Sequence, residues 1–78
     1  MSKKILKTIE LNGSKSGEIS ICNLSNPYGI GSNDILSIGV ALKKESGIDW
    51  KIHIPYENLK ELIIALQEIE KARTNFLN

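Results

Sequence analysis

The fold is decided where the spacing of apolar residues changes, in the stretch WKIHIPYENLKEL at residues 50–62. Up to Ile54 apolar and polar residues alternate, which is the period of a β-strand. Pro55 cannot donate a hydrogen bond to a sheet, so it ends the strand. From Tyr56 onward apolar residues recur at the 3.6-residue period of a helix. We therefore predict a strand that runs directly into one C-terminal helix of about 18–20 residues.

Three further strands are predicted before this one. Alternating patterns predict strands at residues 3–11, 18–24, 35–44 and 48–54. Polar, glycine-containing turns separate them, and the longest loop spans residues 25–34. The last two strands should pair antiparallel because their turn is short, whereas the order of the other strands stays open. The prediction is an α+β fold in the order ββββα: a four-stranded antiparallel sheet packed on one C-terminal helix, as a single domain of residues 1–78.

The predicted sheet has one large apolar face and one small polar face. In the first strand, Ile5, Ile9 and Leu11 share a side. The apolar face comprises Ile9, Ile19, Ile21, Leu36, Ile38, Val40, Trp50, Ile52 and Ile54. The opposite face comprises Thr8, Ser20, Cys22, Ser37, Gly39, Ala41, Lys43, Lys51 and His53. We expect the helix to pack on the apolar face.

The helix carries a broad apolar stripe. The stripe consists of Leu59, Leu62, Ile63, Leu66, Ile69 and Phe76. Ile64 lies roughly opposite the stripe, among charged residues. A single exposed apolar side chain needs no explanation, but a helix that contacts a second subunit would also account for it. We assign Ile64 and Phe76 to a predicted dimer interface.

The size of the chain supports a homodimer. A chain of 78 residues buries only about 60–65% of its unfolded surface, so its own core is marginal. Such domains usually need disulfides, a metal or a partner subunit. The single cysteine, Cys22, and the single histidine, His53, provide neither an internal disulfide nor a convincing metal site.

The sequence gives no sign of catalysis, a cofactor or a membrane span. Cys22 and His53 fall on one face, but an inert structural cysteine explains Cys22 better than a catalytic dyad does. The segment 29–31, Gly-Ile-Gly, lacks the context of a phosphate loop. No apolar run approaches the ~20 residues of a membrane helix. An unpaired cysteine without a signal-like segment favours a reducing compartment, so we predict a cytoplasmic protein. Because no catalytic pattern is evident, we also predict that it is not an enzyme.

The small polar face is the candidate binding surface. Lys43 and Lys51 should lie near each other across the short turn, and His53 supplies the one ring on this face. Tyr28, in the long loop, could fold over it. Such a face suits an extended polyanion, although one face of an antiparallel sheet is often simply left to water.

The stretch at residues 50–62 also resembles a known group. Its strand runs into a helix start with an aromatic-acid-x-Leu-x-x-Leu pattern, here Tyr56-Glu57-Asn58-Leu59-Lys60-Glu61-Leu62, similar to PUR-type and Whirly-like single-stranded nucleic-acid-binding modules. The resemblance implies a homodimer with curved sheets that accept single-stranded DNA or RNA on the face away from the helix. We expect such a module, a transcription or replication regulator. The alternative is a protein–protein interaction module that uses Ile64 or a sheet edge.

Overall fold

The predicted order of elements is confirmed. The structure is a computed structural model that describes the backbone of residues 2–76 and the side chains of residues 2–73. Its strands are β1 (Ser2–Glu10), β2 (Glu18–Ser25), β3 (Ile35–Ala41) and β4 (Trp50–Pro55), and its helix is α1 (Leu59–Phe76). Single 3₁₀ turns at Lys44–Ser46 and Tyr56–Asn58 precede β4 and α1. The fold is an α+β arrangement of type ββββα.

The four strands form one open antiparallel sheet. Their spatial order is β1-β2-β3-β4, so every strand pairs with its neighbour in sequence. Ile21 lies opposite Ile38, and Ile38 lies opposite Ile52. Directly opposed residues share a face of the sheet, so this row confirms the predicted apolar face across three strands.

A β-bulge interrupts the first strand between Ile5 and Lys7. On the N-terminal side of the bulge, Ile5 lies opposite Cys22; on the C-terminal side, Ile9 lies opposite Ile19. One extra residue reverses the alternation of side chains. The prediction that Ile5 and Ile9 share a face is therefore wrong. The bulge also places Lys3 on the same face as Leu24, its partner in β2.

The helix does not cover the apolar face, contrary to the packing predicted from the sequence. Trp50 and Ile52, on the face that the helix was expected to bury, are 60% and 57% exposed. Leu59 and Leu62, near the start of α1, are half-buried, but Leu66 is 55% exposed. Within the described residues α1 makes no broad contact with any strand. Leu36, which is 5% exposed, is the one buried member of the apolar face. The other members, and the described part of the stripe beyond Leu62, are half-buried or exposed.

The dimensions reflect this separation of helix and sheet. The Cα radius of gyration is 14.6 Å, whereas a compact chain of this length has one of about 11.5 Å. The helix runs away from the sheet because it continues directly from the 3₁₀ turn: Leu59, the residue that follows the turn, already has helical dihedral angles. Among residues 2–76, no helix has the length and apolar character to cross a membrane.

Candidate nucleic-acid interface

Among residues 2–73, all but one of the buried side chains lie on the face that was predicted to be polar; the exception is Leu36, on the apolar face. We call this side the groove face and define it by Lys3, Ser20, Cys22, Leu24, Ser37, Gly39, Lys51 and His53, which the strand register places together. Ser20, Cys22 and Ser37 are buried although no second layer covers them. Small side chains between larger neighbours on a curved sheet are shielded in this way. The groove face is therefore concave.

A groove of about 550 Å³ lies over these small side chains. Ser20, Cys22, Ser37 and Gly39 form its floor. The other lining residues are Lys3, Leu24, Ile48, Asp49, Trp50, Lys51 and His53. The groove thus spans all four strands, from Lys3 in β1 to Lys51 and His53 in β4.

Ile48 reaches over the floor at Gly39. A Cβ atom built on Gly39 would lie 2.8 Å from Cδ1 of Ile48 and 3.3 Å from Oγ of Ser20. Atoms at 2.8 Å overlap, so Ile48 has its present position only because residue 39 has no side chain. This corrects the prediction that the last strand begins at Ile48, since β4 begins at Trp50.

The turn before β4 holds Ile48 in this position. The backbone N–H of Leu42 donates to Oδ2 of Asp49 at 2.8 Å. The backbone N–H of Asp49 donates to the carbonyl of Val40 at 2.9 Å. These two hydrogen bonds close the chain around residues 42–49, and β4 begins only at Trp50.

The charged side chains of the groove come mainly from its two edges. Lys3 belongs to β1 and Lys51 to β4, which are three strand spacings, or about 14 Å, apart. Lys51 lies opposite Gly39 and His53 lies opposite Ser37. Asp49 is the one acidic residue among the lining side chains. The groove therefore offers a cation on each side of an uncharged floor of small side chains.

The structure brings together only two of the four binding residues predicted from the sequence. Lys51 and His53 line the groove, whereas Lys43 and Tyr28 do not. Lys43 lies beyond the end of β3 and forms a bridge with Ser16 in the β1–β2 connection. The strand ends at Ala41, so the chain carries Lys43 away from Lys51. The predicted proximity of these two lysines across a tight turn is not what the fold produces.

Tyr28 lies on a braced loop, where it is 75% exposed. Oδ1 of Asn26 accepts a hydrogen bond from the N–H of Gly31 at 3.1 Å. Oγ of Ser32 accepts from the N–H of Tyr28 and donates to the carbonyl of Gly29. Ile30, at the tip, is fully exposed. The loop is thus held in one shape and presents Tyr28 and Ile30 to solvent.

Three groove residues were missed by the sequence reasoning. Lys3 was not among the predicted binding residues, because alternation alone carries no sign of the bulge that turns it into the groove. Ile48 was assigned only to the last strand, and Trp50 to the apolar face that the helix was expected to cover. Trp50 does share the apolar face with Val40 by register, but it stands at the first position of β4 and also borders the groove. Its exposure is the property that the pattern failed to predict.

Ile64, one of the two predicted dimer residues, lies on an accessible helix surface. Ile64 is 46% exposed, but Ile63 is equally exposed and Ile69 is 51% exposed. Exposure therefore does not distinguish Ile64 from the stripe, which the sequence reasoning had assigned to an intramolecular core. The side chain of Phe76 lies outside the described residues.

Cys22 and His53, the cysteine and the histidine of the groove, lie two strands apart. In the described part of the chain, no three His, Cys, Asp or Glu side chains are grouped to hold a metal ion. Cys22 is buried and unpaired. Ser37 lies between Cys22 and His53 in the register, so a whole strand separates the thiol from the imidazole.

Comparison of the chain with protein-family models, curated proteins and solved structures finds no match. The resemblance to PUR-type and Whirly-like modules stays a prediction from the sequence, and the case for function depends on the geometry of the groove.

Proposed function

We propose that the chain is a small homodimeric module that binds single-stranded DNA or RNA in the groove. The observation that supports this most directly is the groove itself: a concave floor of small side chains that spans the sheet, with Lys3 and Lys51 on its two sides. Single-stranded nucleic acids are bound by grooves that combine cations for the phosphates with rings for the bases. The groove contains both kinds of group.

Each lining group has a distinct task in this proposal. Lys3 and Lys51 neutralise phosphates, and the resulting release of counterions drives binding. The imidazole of His53 offers a flat surface for stacking of bases. The floor of Ser20, Cys22 and Ser37 has no large side chain to obstruct a flexible strand. The small number of cations makes the binding weak and sensitive to salt.

The test is a titration of a fluorescently labelled single-stranded oligonucleotide with the protein at low salt. We expect saturable binding with a micromolar dissociation constant that weakens as salt is added. Absence of saturable binding at protein concentrations of several hundred micromolar would remove the proposal. An equal affinity for a duplex of the same sequence would contradict the assignment to single strands.

A protein-interaction module is the second candidate, and the braced loop favours it. Asn26 and Ser32 hold the loop so that Tyr28 and Ile30 face solvent. Exposed aromatic side chains on a rigid loop are frequent anchors of protein interfaces. Under this alternative, a double variant Tyr28→Ala and Ile30→Ser would abolish capture of a nuclease-resistant protein partner. Under the groove proposal, the same variant retains most of its oligonucleotide affinity.

A further inference from the structure

We infer that two copies of the chain exchange their helices, so that the apolar stripe of each α1 covers the apolar face of the other copy's sheet. This inference rests on the homodimer in the proposed function but not on nucleic-acid binding. In this arrangement, two apolar surfaces that are open in one chain are each covered by the other copy. The stripe is represented by Ile63, Leu66 and Ile69, and the apolar face by Trp50 and Ile52.

Both surfaces are more exposed than a stable chain of this size allows. The accessible surface is 6279 Å² for a mass of 8.7 kDa, whereas a folded monomer of that mass exposes about 4,700 Å². The excess is about 1,500 Å² per chain, or about 3,000 Å² for a pair, which falls within the range of obligate homodimers. A second copy therefore accounts for the size of the uncovered surface.

The helix of the same chain is poorly placed to cover its own sheet. The 3₁₀ turn Tyr56–Asn58 continues into α1 without an intervening loop. The hydroxyl of Tyr56 donates to Oδ1 of Asn23 at 2.6 Å, which fixes the turn against β2. Folding the helix back would break both the turn and this contact. Docking on a second copy keeps both.

Reciprocal packing is the arrangement that covers both surfaces at once. A dimer formed by two helices alone would leave Trp50 and Ile52 exposed, and a dimer formed by two sheets alone would leave the stripe exposed. An 18-residue helix is about 27 Å long, which is enough to cross a four-stranded sheet about 14–19 Å wide. A two-fold axis makes the two contacts identical.

The border of the apolar face is suited to an interface. Lys4 and Lys7 lie on this face at the β1 edge, opposite Asn23 and Ile21. They give the apolar centre a polar rim, which is the usual organisation of a protein interface. Lysines along an edge strand also hinder edge-to-edge pairing of sheets, so the exchange of helices is favoured over a continuous eight-stranded sheet.

Sedimentation velocity of the full chain, without nucleic acid, tests this arrangement. We expect the wild type to sediment as a dimer at micromolar concentration. Ile52→Lys on the sheet and Leu66→Glu on the helix should each give a monomer. An equimolar mixture of the two variants should regain a dimer, because one contact of the mixed pair is native and the other joins Lys to Glu. Glu68→Lys and Ile64→Lys, outside the stripe, should remain dimeric. For Ile64 this is the opposite of what its assignment to a dimer interface from the sequence predicts.

Two milder variants show whether loss of the dimer is caused by misfolding of the chain. Ile52→Thr keeps a strand-forming residue and Leu66→Ala a helix-forming one, and each should weaken the dimer at least tenfold with an unchanged circular dichroism spectrum. A monomeric wild type at 100 µM would overturn the inference. So would Ile52 variants that leave the dimer intact, loss of the dimer in Ile64→Lys, or a mixture that stays monomeric. None of these results bears on the groove, and failure of the oligonucleotide titration would not affect them.

Discussion

The hydroxyl of Tyr56 donates a 2.6 Å hydrogen bond to Oδ1 of Asn23, and this bond connects the start of the helix to the second strand. The two residues are 33 positions apart in the sequence. Asn23 in turn donates to Oδ2 of Asp34 at 3.1 Å. The direction in which α1 leaves the sheet is therefore set by a polar contact at the border of the apolar face.

Tyr56→Phe removes this hydrogen bond and keeps the ring. We expect a loss of about 0.5–1 kcal/mol in the free energy of unfolding, since the partner, Oδ1 of Asn23, can turn to water when it is released. Urea denaturation followed by circular dichroism measures the change. Tyr28→Phe is the matched control, because Tyr28 lies on the exposed loop. An equal loss in both variants would show that the Asn23 contact does not stabilise the fold.

Gly39 and Ile48 should be energetically coupled. A Cβ at residue 39 would overlap the end of the Ile48 side chain, whereas alanine in a strand is otherwise preferred over glycine by about 0.5–1 kcal/mol. We expect Gly39→Ala to be more favourable in the Ile48→Ala background than in the wild type, by about 1 kcal/mol. A double-mutant cycle of thermal unfolding gives this value. Strict additivity would show that Ile48 does not lie over Gly39.

The order and type of the elements could be predicted because they depend on local patterns. Alternation marks the strands, and Pro55 followed by a 3.6-residue period marks the change to helix. The structure confirms this order. Hydrophobic periodicity identifies residues that share a side of an element, but it does not identify what covers that side. For this reason the residues of the stripe and of the apolar face were predicted correctly. The prediction that these two surfaces of one chain bury each other was wrong.

The candidate site depends on two features that leave no trace in the pattern. The bulge near Ile5 is a single-residue event, and it alone brings Lys3 into the groove. The early end of β3 at Ala41 carries Lys43 away and leaves Ile48 free to fold over Gly39. Lys51 and His53 were predicted correctly as neighbours on one face, because they lie two positions apart in an uninterrupted strand.

Substitutions of Lys3 and Lys43 distinguish binding in the groove, which Lys3 lines, from binding on the surface predicted by alternation, which includes Lys43. If the groove holds the ligand, Lys3→Ala should reduce affinity for a single-stranded oligonucleotide several-fold more than Lys43→Ala, because only Lys3 lines it. Both substitutions remove one positive charge, so the general attraction of the protein falls equally. Fluorescence anisotropy at low salt measures the difference. A larger effect of Lys43→Ala would move the site to the end of β3.

Lys51 should contribute a phosphate contact, which has a characteristic dependence on salt. For a single strand, each phosphate neutralised adds about 0.7 to the steepness with which log affinity falls against log salt concentration. We expect Lys51→Ala to reduce the steepness by about this amount. Lys60→Ala, on the exposed side of the helix, should leave it unchanged. Equal slopes for wild type and Lys51→Ala would show that Lys51 makes no phosphate contact.

Nuclear magnetic resonance shows where the oligonucleotide lies on the protein. Amide chemical shifts of the ¹⁵N-labelled protein, followed during addition of a single-stranded oligonucleotide, report which residues meet it. If the groove holds the ligand, the largest changes occur at the groove floor and its β4 wall: Ser20, Cys22, Ser37, Gly39, Lys51 and His53. Changes confined to the 26–34 loop or to α1, or no changes at saturating oligonucleotide, would contradict binding in the groove.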